Sequence, residues 1–289
     1  MRSYHRHSGL SAHRVYLTER SETEMPVGDR TFIAKLARAS KSGVIKLADA
    51  SKVSGLDTKS AAKKLSSLTR RGWLHRVRRG IYLIVPLEAE PGISRTAADP
   101  WVLAHEVFTP CYIGGWSAAG YWELTEQIFR PTLVVTAAAI RSKSIELLGQ
   151  EYRLFRVPAS RVQIPTSVWR DSVKVKVSSR ERTLIDCLRN PALSGGVGHL
   201  VLMMKEYGNH PEHDFTRVLN EAREADSGAV WKRLGYLCEI LWPAEASMIS
   251  EASRKISAGN IKLDPAVKVR GKLVKRWRVW SNVDLDTHD

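Results

Sequence analysis

Several things are scarce in this chain of 289 residues, and each scarcity removes a class of function. There are 3 cysteines, Cys111, Cys187 and Cys238, and no two sit in a CxxC pair. An odd, scattered set argues against a disulfide framework and fits a reducing, cytoplasmic setting. The longest apolar run, residues 132–140, is about half of what a bilayer crossing needs, so no membrane span is expected. The basic opening MRSYHRHSGLSAHRV has no apolar segment behind it and is not a secretory signal. Catalytic signatures are missing too: no P-loop, no GxSxG, no HExxH, and no Asp/Glu-x-Lys pairing of the kind a metal nuclease uses. No enzyme, cofactor or metal is expected.

Acidic residues are the most telling shortage. Residues 30–85 hold 14 Lys/Arg but only 2 acids, Asp49 and Asp57, and so carry +12 of the net +15. Residues 86–253 are close to neutral, with 18 basic and 20 acidic residues. Charge confined to one short segment beside a neutral body points to one face meeting a polyanion. The pI near 9.9 agrees, and 43% hydrophobic residues with 9 Trp suffice for real cores. Two domains are expected from the length.

Residues 1–28 show no apolar periodicity and are expected to form a disordered leader, with Met25 an alternative start. His5, His7 and His13 lie there without a Cys or carboxylate at ligand spacing, so they are read as solvated. A DNA-binding domain is expected over residues 29–86. Asp29 is placed as the cap of a first helix with Phe32, Ile33, Leu36 and Ala37 inward. A shorter helix spans residues 46–53, Ser54-Gly55-Leu56 is a turn, and Asp57 caps a third helix that Gly72 closes. Two short strands around Arg79-Gly80 complete a winged helix-turn-helix pattern.

The third helix can be tested by angle. At about 100° per residue, Ala61, Leu65 and Leu68 fall on one side, and Lys59, Lys63 and Arg70 nearly opposite, with Ser60 and Ser67 at the edge. The outward side therefore carries donors, which reach phosphates and base edges in a major groove. An ordinary solvated helix face is the plainer reading of the same pattern. At the hairpin tip, Arg76, Arg78 and Arg79 suit a minor groove or flanking phosphates, Gly80 permits the tight turn, and Tyr82 is placed behind the wing. The expected DNA contacts are Lys59, Ser60, Lys63, Ser67, Arg70, Arg76, Arg78 and Arg79.

Beyond a breaker-rich linker at residues 87–100, a larger mixed α/β domain is expected over residues 101–280, ending in helices and followed by a tail at 281–289. Residues 132–136 and 152–157 are expected strands, and Val173, Val175 and Val177 alternate with lysines as in a half-exposed strand. Ser178 and Glu181 have the spacing of a capping box. Ser194-Gly195-Gly196-Val197-Gly198 precedes a helix; it is read as a flexible helix entry rather than a phosphate cradle. Arg182 and Asp186 are read as a helix-surface ion pair, and His105 and His199 as core or boundary residues.

Three motifs carry a family resemblance. They are Leu74-His75-Arg76-Val77-Arg78-Arg79-Gly80-Ile81-Tyr82; Gly114-Gly115-Trp116-Ser117-Ala118-Ala119; and Ser179-Arg180-Glu181-Arg182-Thr183-Leu184-Ile185-Asp186, followed by Asn190-Pro191 and Gly195-Gly196. In order and spacing, from about residue 28 to about residue 260, they resemble the AbiEi-type abortive-infection antitoxins. The leader and the basic tail lie outside the likeness. The resemblance implies a two-domain antitoxin of a bicistronic type IV toxin–antitoxin operon acting in phage defence. Its winged helix would bind inverted repeats in its own promoter as an autorepressor, and its α/β C-terminal domain would counter a nucleotidyltransferase-like toxin, with direct contact left open. Two other classes stay open from the residues alone: an interaction module that meets RNA or an acidic partner, and a degenerate nuclease.

Overall fold

The computed structural model describes residues 25–85, 99–164, 166–170 and 172–285. The chain divides into two compact units at Ala97/Ala98. The fold is α+β, with an N-terminal winged helix and a larger mixed second unit.

The first unit runs α1 (Val27–Ala39), β1 (Val44–Lys46), α2 (Leu47–Ser54), α3 (Thr58–Arg70), β2 (Leu74–Arg78) and β3 (Ile81–Ile84). Its antiparallel sheet has the order β1-β3-β2. Strand β1 had no counterpart among the expected elements, because three residues are too few to show a period. Phe32, Ile33 and Leu36 of α1, Ala50 of α2, Leu65 and Leu68 of α3, and Ile45, Leu74 and Tyr82 of the sheet form one core. Met25 is buried in the same core, so the leader expected through residue 28 gives way to structure before then. Residues 1–24, with His5, His7 and His13, lie outside the described residues. Asp29 does not cap α1. The cap position falls on Pro26, and Asp29 sits in the first turn, where a carboxylate faces the positive end of the helix dipole. Gly55, at φ 72°, lets the chain turn between α2 and α3.

The second unit opens with α4 (Pro100–Phe108), capped by Asp99, whose Oδ1 accepts from the N–H groups of Trp101 (2.7 Å) and Val102 (3.2 Å). Asp99 and Pro100 therefore belong to this helix start rather than to the expected linker, whose residues 87–98 lie outside the described residues. Next come β4 (Cys111–Ile113), α5 (Gly115–Tyr121), β5 (Thr132–Thr136), β6 (Ser144–Leu147) and β7 (Gln150–Arg156). They form a sheet of order β4-β5-β7-β6, parallel only between β5 and β7. A separate hairpin, β8 (Ser167–Arg170) and β9 (Val173–Lys176), precedes five helices: α6 (Arg180–Arg189), α7 (Val197–Asn209), α8 (Phe215–Ala225), α9 (Gly228–Leu241) and α10 (Ala246–Lys255).

After α10 the chain adds β10 (Ile261–Lys262), β11 (Lys272–Val274) and β12 (Val279–Ser281), in the order β10-β12-β11. The expectation that the domain ends in helices stops three strands short, and residues 281–285 of the expected tail continue from that sheet. Trp277 anchors this sheet. It is fully buried against Gly235 of α9, where an added Cβ would lie 2.0 Å from the indole. Arg233 reaches from α9 to the carbonyls of Leu188, Lys262 and Leu263, and burial lowers its pKa to about 10.

At α6 the cap is one residue later than expected. Ser179 Oγ accepts from the Arg182 N–H at 3.1 Å. Ser178 is instead buried, 2.7 Å from Thr183 Oγ1, and Glu181 accepts from the Tyr207 hydroxyl. The capping box does not form, because both of its side chains are drawn into the core.

Candidate nucleic-acid interface

The start of α3 is built by Asp57. Its Oδ1 accepts from the backbone N–H groups of Lys59 (2.9 Å) and Ser60 (3.1 Å), supplying partners for two donors that a helix start leaves open. Hydrogen bonding from the Ser60 side chain, then from its N–H, holds the Asp57 carboxyl below the usual range. The expected inward residues Ala61, Leu65 and Leu68 are all buried. Lys59, Ser60, Lys63 and Arg70 are exposed, and Ser67 is half-buried. Ser66, outside the expected set, joins them. It is exposed and lies about 20° from Lys59 on the helical projection, inside the donor stripe.

Two further cations of this segment are withdrawn from the stripe. Lys64 Nζ lies 3.4 Å from Asp29 Oδ1 and 4.8 Å over the Phe32 ring. Arg71 donates to Asp29 Oδ2 at 2.5 Å. Partial burial would raise the Asp29 carboxyl, but Arg71 and then Lys64 outweigh it and hold it below its ordinary value.

The wing is the β2–β3 hairpin. Its register slips between Arg76 and Arg78, so Val77 is the extra residue of a bulge. Val77 is buried, whereas Arg76, Arg78 and Arg79 are exposed. Gly80 takes φ 76° at the turn, and its carbonyl accepts from the Leu47 N–H at 2.8 Å, tying the tip to the start of α2. Tyr82 is buried behind the wing as expected. Partial burial lowers the pKa values of Arg78 and His75. Burial thus disfavours the charged form of the His75 imidazole, and the tip's charge rests on its arginines.

Among the described residues, no carboxylate pairs with Lys59, Lys63, Arg70, Arg76, Arg78 or Arg79. A stripe and a tip of unneutralised donors on a folded scaffold can bind phosphates and read base edges.

Elsewhere the candidate features are put to internal use. Asp264 Oδ2 accepts from the Val197 N–H at 2.9 Å, so the protein's own carboxylate sits where the glycine-rich helix entry would hold a phosphate. The Arg182–Asp186 pair is not on the surface. Asp186 is buried, accepts from the Tyr112 hydroxyl at 2.6 Å and from Arg182 Nε at 3.1 Å, and Arg182 reaches on to Glu221. Burial, followed by the Asp186 charge, drives the Tyr112 pKa well above its usual value. His105 and His199 are boundary residues, the latter between Thr125 and the Ser194 carbonyl. The three cysteines are buried thiols. Among the described residues no group of three or more His, Cys, Asp or Glu is placed to hold a metal ion, and no helix is long and apolar enough to cross a membrane.

Residues 32–85 match the family described as "Transcriptional regulator, AbiEi antitoxin". The family likeness read from the sequence thus holds over the winged helix. No curated protein matches. Among solved structures, the chain is similar to one titled "Crystal structure of RV2827C protein from Mycobacterium tuberculosis", with TM-score 0.54 and 16% identity, over 91% of this chain and 93% of that one. At that identity the likeness is one of fold, and it spans both units.

Proposed function

We propose that a winged helix matching the AbiEi antitoxin regulators makes this chain a DNA-binding autorepressor of its own operon. One observation carries the reading: within the matched segment, six exposed cations on α3 and the wing lack carboxylate partners among the described residues, while Lys64 and Arg71 of the same segment are paired with Asp29. The fold pairs those two cations internally and displays the six. In this reading Lys59, Ser60, Lys63, Ser67 and Arg70 face the major groove, and Arg76, Arg78 and Arg79 grip the backbone or the minor groove. The target is duplex DNA upstream of the chain's own gene, carried as inverted repeats. The second unit supplies the antitoxin role, countering a nucleotidyltransferase-like toxin from the same operon inside the cytoplasm.

A reporter fused to the upstream region tests this. The intact chain is expected to repress it, and Lys59→Ala with Lys63→Ala to relieve repression. Equal repression by both proteins, or none by either, contradicts the reading. Co-expression with the neighbouring gene product tests the antitoxin role: growth rescue supports it, and unrelieved toxicity contradicts it.

A further inference from the structure

The C-terminal sheet carries a second concentration of charge that the winged helix does not account for. Residues 254–285 hold 9 Lys/Arg and 2 acids, Asp264 and Asp284. Asp264 is buried and bonded to the Val197 and Ala266 N–H groups, so it neutralises nothing on the surface. Arg276 is paired with Glu239, and the Lys262 ammonium donates to the carbonyls of Val267 and Lys268. Arg254 and Lys255 belong to the last turn of α10, beside Glu251. Lys268, Arg270, Lys272, Lys275 and Arg278 remain on the sheet and its loops, all exposed and, among the described residues, without a carboxylate partner.

These five stand on a scaffold that holds them in place. The loop bearing Lys268 and Arg270 is gripped from beneath by Asn282, whose Nδ2 donates to the carbonyls of Asp264, Val267 and Val269. Gly271 closes the loop at φ 72°, so near β12 that an added Cβ would lie 1.9 Å from the Ser281 carbonyl oxygen. Lys275 and Arg278 flank the β11–β12 turn, which Trp277 pins to α9. The Arg270 guanidinium lies 3.9 Å from the Trp280 ring centroid, an arrangement that fixes a cation otherwise free to swing. Ordering five cations on one small sheet and its loops without counter-charges is unfavourable unless a polyanion supplies the charge.

From this geometry we infer that the C-terminal sheet is a second DNA-binding surface, one that contacts the phosphate backbone of duplex DNA through Lys268, Arg270, Lys272, Lys275 and Arg278. Duplex is favoured over single strands because Arg270 covers the one partly exposed aromatic ring of the sheet, leaving no bare face for a base to stack on. The choice of DNA rests on the proposed reading of the winged helix: a chain whose first unit holds a duplex presents its second unit to that duplex at high effective concentration. Backbone contacts of this kind add affinity without sequence preference.

The test uses the full chain, fluorescence anisotropy, and two labelled duplexes of equal length, one from the upstream region and one scrambled. In Lys268→Ala/Lys272→Ala/Lys275→Ala/Arg278→Ala, the slope of log affinity against log salt is expected to fall by about 3.6 on both duplexes, at roughly 0.9 per lost contact, with the ratio between duplexes kept. Lys268→Gln/Lys272→Gln, which leaves the turn intact, is expected to lose about half of that. An unchanged slope in both variants overturns the proposal. So does a loss seen only with double-stranded RNA of the same length, or only with an acidic protein. If the wild type shows no preference for the upstream duplex yet the slopes fall as stated, the operator reading fails and this surface stands.

Discussion

Arg71, at the end of α3, donates a hydrogen bond to Asp29, in the first turn of α1, across 42 residues of sequence. This contact closes the helical part of the winged helix and marks which of its cations are structural. The pair is partly open to solvent, where such bridges contribute up to about 1 kcal/mol. Asp29→Asn is expected to lower the melting temperature modestly at pH 7. The folded carboxyl titrates below its unfolded value, so its contribution is full above the unfolded pKa and is lost as pH falls through the folded one. The gap between mutant and wild type should therefore close on going from pH 6 to below about 3, as read by thermal melts. A gap that widens on acidification contradicts the assignment.

In the second unit, Tyr112→Phe removes a buried donor from Asp186 with almost no change of shape. Leaving that acceptor short of a partner is expected to cost about 1–3 kcal/mol in urea unfolding of this unit. Binding to the upstream duplex should not change. A loss of duplex binding with unaltered stability would show that the network serves the interface rather than the core.

Gly235→Ala adds a methyl group where Trp277 already sits, its Cβ only 2.0 Å from an indole carbon. Alanine favours a helix interior by roughly 1 kcal/mol over glycine, but the clash outweighs that gain. Limited proteolysis is expected to cut the mutant within residues 262–285 while the wild type resists there. Equal resistance would mean that Trp277 does not anchor the sheet.

Local signals made much of the winged helix legible. Asp57, Gly55, Gly72 and Gly80 punctuate it, and the projection of α3 separates Leu65 and Leu68 from Lys59 and Lys63. The same projection places Ser66 beside Lys59. What stayed hidden depends on distant partners. Tyr112, far along the chain from Asp186, converts an i,i+4 pair into a buried network. Asp264 reaches back 67 residues to Val197. Strands β1, β10, β11 and β12 have two or three residues each, too short for alternation to register. Trp277 stands among charges in the sequence, and its packing partner is Gly235, which has no side chain to announce the site.

The central claim is that the arginine tip of the wing holds duplex DNA. Its most direct test is the salt dependence of binding to the upstream duplex, measured for the full chain and for Arg78→Ala/Arg79→Ala. The double variant is expected to bind more weakly, and the slope of log affinity against log salt to fall by about two. Affinity and slope equal to those of the wild type across the salt range would contradict the account.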